Sequence, residues 1–188
     1  MFENTASLES QDPVGFLTAA TEALAKLPSQ LWRTGNDGFA DVVTAMDALA
    51  VQLDCARVGL VQKAESRGVV DQSPSSSAAA WLLAHSQHLE PADAARTADL
   101  AKLCAQPKNQ VIAAAVAGGT VTVRKAVTVL RQLRQVEHDL QPGKREEALA
   151  SLTLMAQTGH DRNVIAVGRR LMSLGESGTG SMAARPLC

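Results

Sequence analysis

The sequence predicts an all-α fold: a single multi-helix domain of about eight helices around one long central helix. Apolar residues recur at three- and four-residue spacing along most of the chain, and strand-like alternation is nearly absent. Capping residues also precede segment after segment. The 188 residues are 46% hydrophobic and 20% charged, a globular balance that can bury roughly 70% of the unfolded surface.

Each element has its own local reason. Asp12 to Leu27 reads as a helix because Asp12 is a good N-cap, Pro13 suits the first turn, and Phe16, Leu17, Ala20, Leu24 and Leu27 share a face. Pro28 and the Gly35-Asn36-Asp37-Gly38 cluster interrupt it. The longest element runs from Asp37 to Arg67, roughly 45 Å at 1.5 Å per residue. Val42, Met46, Leu49, Leu53, Ala56 and Leu60 form its stripe, widened by Phe39, Val43, Ala50, Val61 and Ala64. Neighbouring helices, or a second copy of the chain, must cover that stripe.

Gly68 is placed to end the long helix. A Ser73-Pro74-Ser75-Ser76-Ser77 linker then leads to Ala78–Ser86, with Trp81, Leu82 and Leu83 as its bulk. After Gln87-His88-Leu89-Glu90, proline opens Pro91–Cys104. Lys108–Ala117 stops at Gly118-Gly119, Thr122 caps Val123–Val136, and Pro142-Gly143 breaks the chain again. Helices near Lys144–Gln157 and near Arg162–Ser173 complete the eight, and the tail from Gly175 is Gly/Ser-rich.

Catalytic and cofactor chemistry find no support in these residues. His85, His88, His138 and His160 lack metal-ligand spacing, and Cys55, Cys104 and Cys188 form no CxxC pair. No GxSxG elbow, Walker loop or GxGxxG is present. The expectation is therefore no catalytic residue, no metal, no small-molecule cofactor and no enzyme. No apolar run approaches the ~20 residues that span a bilayer, and the acidic start is no signal peptide, so no membrane partner and a cytoplasmic location are expected.

Net charge is −1 and aromatic residues are 3%, with no Tyr, which argues against a grip made by base stacking. Charge is nonetheless arranged. In Val123–Val136 the apolar face is Val123, Ala126, Val127, Leu130 and Leu133, with Arg124, Lys125, Thr128 and Arg131 on or beside the opposite one. Arg162, Arg169 and Arg170 make a second basic face. Either could neutralise phosphates, and both helix pairs, 78–86 with 91–104 and 108–117 with 123–136, have helix–turn–helix proportions.

Four segments in order carry a family resemblance: LWRTGNDGFADVVTAMDALAVQLDCARVGLVQKAESRGV, SSSAAAWLLAHSQHLEPADAARTADLAKL, VIAAAVAGGTVTVRKAVTVLRQL and GHDRNVIAVGRRLM. Together they resemble the N-terminal helical domain called domain of unknown function 222, of the actinobacterial 13E12 repeat family, over roughly Leu31 to Met172. Such proteins typically continue into an HNH endonuclease domain. No position here matches that nuclease motif, so the resemblance implies a non-catalytic module, truncated or standing apart from its nuclease. It implies duplex DNA as partner, by association. It adds Arg96, projecting from the second helix of a turn unit, to the nucleic-acid-binding candidates. It also implies that Gly118 or Gly119 supplies a positive φ before Thr122, and that Trp81, Leu82 and Leu83 pack the short helix on the long one.

The resulting reading has three parts: an N-terminal helix and linker (1–30), the helical domain (31–173) and a flexible tail (174–188). Its function is DNA engagement or the positioning of an absent nuclease. The alternative is a homodimer through the 37–67 helix without nucleic acid.

Overall fold

The computed structural model describes residues 12–138, 140–141, 143–159 and 166. Among these residues seven α-helices occur and no strand, so the fold class is all-α. The eighth helix expected from sequence, 162–173, lies outside the described residues apart from Ala166.

The chain divides into two units, Met1–Asp47 and Ala48–Cys188, with the division inside the long helix where sequence placed a boundary near residue 30. In the first unit, α1 (Pro13–Gln30) begins at an Asp12 carboxylate that accepts from the Gly15 amide at 3.4 Å. It runs past Pro28 to Gln30, since proline's fixed φ is helical and only one bond near the terminus is lost. A 3-10 turn at Leu31–Arg33 follows, where the Arg33 guanidinium lies 5.0 Å above the Trp32 ring. No residue of α1 is buried.

The long helix, α2 (Gly38–Ser66), ends at Gly68 as its φ of 71° requires. The Val69 amide donates to Ala64 O and the Gly68 amide to Glu65 O, both at 2.9 Å, satisfying carbonyls the helix leaves open. Ser77 then caps α3 (Ala78–Ala84), accepting from the Ala80 amide at 3.2 Å. Four helices follow: α4 (Pro91–Cys104), α5 (Gln110–Ala117) after a 3-10 turn, α6 (Val123–Val136) and α7 (Arg145–Thr158).

In the second unit α6 holds the centre, packed on both α4 and α7. Val123, Ala126, Val129, Leu130, Leu133 and Val136 are buried, and so are Thr128 and Gln132. Thr128 therefore does not belong to an outward face. Its hydroxyl donates to Arg124 O at 3.1 Å, which lets it be buried cheaply. Around α6 lie Leu100 and Ala101 of α4, Ile112 and Val116 of α5, and Leu149, Leu152 and Ala156 of α7. Trp81 is only half-buried, its ring 5.2 Å from that of His85, while Ala78 and Leu82 are the buried residues of α3, which packs on α4.

The sequence-based stripe of α2 is corrected here. Cys55, Val58, Val61 and Ala64 are buried, whereas Phe39, Val43, Met46, Leu49, Leu53 and Leu60 are 39–66% exposed. The inward face is the one through Val51, Cys55 and Val58. It is tied down where the Cys55 thiol donates to Val121 O at 3.6 Å and the Gln62 amide to Ala101 O at 3.1 Å.

Two predictions follow from this core. Leu133, 1% exposed, should lose about 2–5 kcal/mol on Leu133→Ala in chemical denaturation; a loss below ~1 kcal/mol would place α6 at the surface. Burial pushes the Cys104 thiol up to about 11, with neighbouring Cys55 adding to the shift. The folded chain keeps a proton that the unfolded chain releases, so the stabilisation is intact below the ordinary thiol range near 8.5. It is lost as pH rises toward the folded value, about 2–3 kcal/mol in all. Between pH 8 and 10.5 the parent should lose about 2 kcal/mol more stability than Cys104→Ala, with no Tyr ionising in that window. Equal losses would rule this out.

Candidate nucleic-acid interface

The site is assembled from the start of α6. At the end of α5, the Thr120 amide donates to Ala115 O at 3.0 Å and the Gly119 amide to Val116 O at 2.9 Å. Gly119 carries the positive φ, 65°, and a Cβ there would lie 2.0 Å from Gln52 Nε2. The Thr122 hydroxyl then accepts from the Lys125 amide at 3.3 Å and sets the first turn of α6. With Ala126, Val129, Leu133 and Val136 drawn into the core, Arg124, Arg131 and Arg134 are left exposed.

On α4, burial of Ala94, Thr97, Leu100, Ala101 and Cys104 places Arg96, Asp99 and Lys102 on the side that meets α6. Between the two helices runs a groove lined by Arg96, Lys102, Arg131 and Arg134, with Asp99 as its one carboxylate. Leu103, Val127 and Leu130 supply apolar lining, and no aromatic ring lines it. At one end Arg96 is shared with a smaller cavity lined by Arg57, Arg124, Asp54, Asp93 and Thr122. At the other, Arg134 is shared with a cavity lined by Lys108, Arg145 and Glu137. Along the connected run, eight cationic side chains face four carboxylates, on a chain whose net charge is −1.

These cations differ in availability. Arg57 pairs with Asp54 at 2.8 Å and Arg96 with Asp93, each within its own helix and each solvated. Such exposed pairs contribute about 0–1 kcal/mol and exchange readily for another anion. Lys102, Arg131 and Arg134 are exposed and make no ion pair among the described residues. Arg145 is committed to the fold: its Nε donates to Glu137 at 2.8 Å and a terminal nitrogen to Asn109 Oδ1 at 2.7 Å. Asn109 is 1% exposed and in turn donates to Leu103 O at 2.9 Å.

Of the residues singled out in the sequence, Arg96, Arg124 and Arg131 come together on this run. Lys125 does not line it. Its ammonium reaches α7, donating to Ala156 O at 3.0 Å and Gly159 O at 2.8 Å, where a cation meets the negative end of the helix dipole. Arg162, Arg169 and Arg170 lie outside the described residues. Sequence reasoning missed Arg57, Lys102 and Arg134. The i, i+7, i+10 spacing of Arg124, Arg131 and Arg134 would have revealed the last. Lys102 is found only once α4 and α6 are known to face each other, and neither expected helix–turn–helix pair makes that groove.

Among the described residues no three His, Cys, Asp or Glu side chains are grouped to hold a metal, and no helix is long and apolar enough to cross a membrane. The chain matches no protein-family model, no curated protein and no solved structure.

Lys125→Ala and Arg145→Ala should each cost about 1–3 kcal/mol, because each strands partly buried carbonyl or amide oxygens that a charged donor had satisfied. Urea titration decides this, and a change within ~0.5 kcal/mol for both would make these bonds incidental.

Proposed function

We propose that this chain is a non-catalytic helical module that engages duplex DNA through the phosphate backbone, along the groove between α4 and α6. The reading extends to the resemblance carried by its sequence segments: a front domain of the kind that accompanies HNH endonucleases, holding DNA for chemistry performed by another domain.

The observation that supports it is local charge. Arg96, Lys102, Arg131 and Arg134 converge on one groove against a single Asp99, while the chain as a whole is nearly neutral. From Arg124 to Arg134 the helix rises about 15 Å, and a DNA strand advances ~3.4 Å per nucleotide, so this face spans four to five steps. The lining offers no ring on which a base could stack, which favours a duplex backbone over single strands. Contacts from these cations to phosphates carry no sequence information, so binding is expected to be indifferent to sequence.

With four phosphate contacts, log K against log salt should fall with a slope of about −3.6. Arg131→Ala with Arg134→Ala should weaken binding equally across duplex sequences and reduce that slope by about 2. Lys125→Ala should leave the slope unchanged. No retention of duplex by the parent protein at low salt, or a slope unaltered by the double change, would remove the proposal.

A further inference from the structure

The smaller cavity at one end of the groove, about 190 Å³ in volume, is built differently from the groove itself. Three helices each bring an arginine to it: Arg57 from α2, Arg96 from α4 and Arg124 from the first turn of α6. Asp54 and Asp93 line it too, and each accepts from one terminal nitrogen of the arginine on its own helix. A guanidinium has five N–H donors, so Arg57 and Arg96 both keep donors for a second acceptor. The start of α6 adds the positive end of a helix of 14 residues.

Thr97 points to a ligand independently of these charges. It lines the same cavity and is only 5% exposed. Other buried threonines of this unit donate to the carbonyl four residues back, as Thr128 and Thr153 do. The Thr97 hydroxyl makes no hydrogen bond among the described residues. No fully enclosed side-chain oxygen or nitrogen among those residues lacks a partner, so this oxygen is not sealed into the core. It opens on the cavity. A hydroxyl held so nearly out of water costs stability unless a polar group meets it there.

The donors select a class of ligand. A carboxylate presents two oxygens in one plane and is satisfied by a single arginine fork. A phosphodiester likewise has two free oxygens. A phosphate monoester has three, with a charge of about −1.5 to −2 at neutral pH, and so suits cations that arrive from three helices.

We propose that this cavity binds one phosphate monoester group, with Arg57, Arg96 and Arg124 on its oxygens and the Thr97 hydroxyl donating to one of them. Two sources offer that chemistry: a free phosphate, and the 5′-terminal phosphate of a duplex lying in the adjoining groove. The second source rests on the groove reading above.

Inorganic phosphate titrated into the full chain at fixed ionic strength should bind saturably at one site by calorimetry. Thr97→Val should weaken that binding about tenfold. The melting temperature of the phosphate-free variant should be unchanged or higher, because the hydroxyl removed has no partner in the chain. Arg57→Gln, at a partly exposed position, should weaken phosphate binding by a similar factor. A short blunt duplex carrying 5′-phosphates should bind about tenfold tighter than the same duplex with 5′-hydroxyls. Arg57→Gln should erase that preference, and Arg131→Ala with Arg134→Ala should retain it.

Saturable phosphate binding with equal affinity for the two duplexes identifies free phosphate as the ligand; a preference for phosphorylated ends identifies the duplex terminus. Neither effect, with phosphate tested to about 10 millimolar, overturns the proposal, as does binding indifferent to both Thr97→Val and Arg57→Gln. A lower melting temperature for phosphate-free Thr97→Val would assign the hydroxyl to the fold and overturn it as well. Duplex retention with neither effect leaves the groove reading standing alone, and phosphate binding without duplex retention leaves this site standing alone.

Discussion

The burial of α6 constrains everything else in the second unit. A fourteen-residue helix with eight buried positions can be accommodated only if neighbours pack on more than one side, and α4 and α7 do so. Two of those eight, Thr128 and Gln132, are polar, so the centre of the unit is not a simple apolar stripe. No buried side-chain nitrogen or oxygen among the described residues lacks a partner, which is the condition under which such residues are tolerated at a centre. Once α6 is placed, its remaining arc is narrow, and the arginines it carries are confined to the edge facing α4. The groove is a by-product of how much of α6 is covered.

Element boundaries were legible because they are written locally. Asp12, Ser77 and Thr122 each accept a backbone amide at a helix start, and Gly68 and Gly119 each adopt the left-handed conformation at a helix end. Those interactions span two to five residues, so sequence alone contains them. Facing is another matter. Helix α2 carries two apolar arcs, and periodicity selects the stronger one, Leu and Met at heptad spacing, as the core. The chain buries the weaker arc, through Val51, Cys55 and Val58, because that side also meets the Val121 and Ala101 carbonyls. Side-chain size in a stripe measures how much must be covered, and says nothing about which partner covers it.

The same distinction separates the basic residues. Lys125 sits beside Arg124 in sequence and shares its helix, yet a flexible four-carbon stem lets its ammonium reach the end of α7, thirty-one to thirty-four residues away. Arg145, unremarkable in sequence, anchors a buried asparagine. Lys102 becomes part of a charged groove only through the meeting of two helices. Net charge hides all of this: a value of −1 describes the average field and conceals a groove where four cations meet one carboxylate.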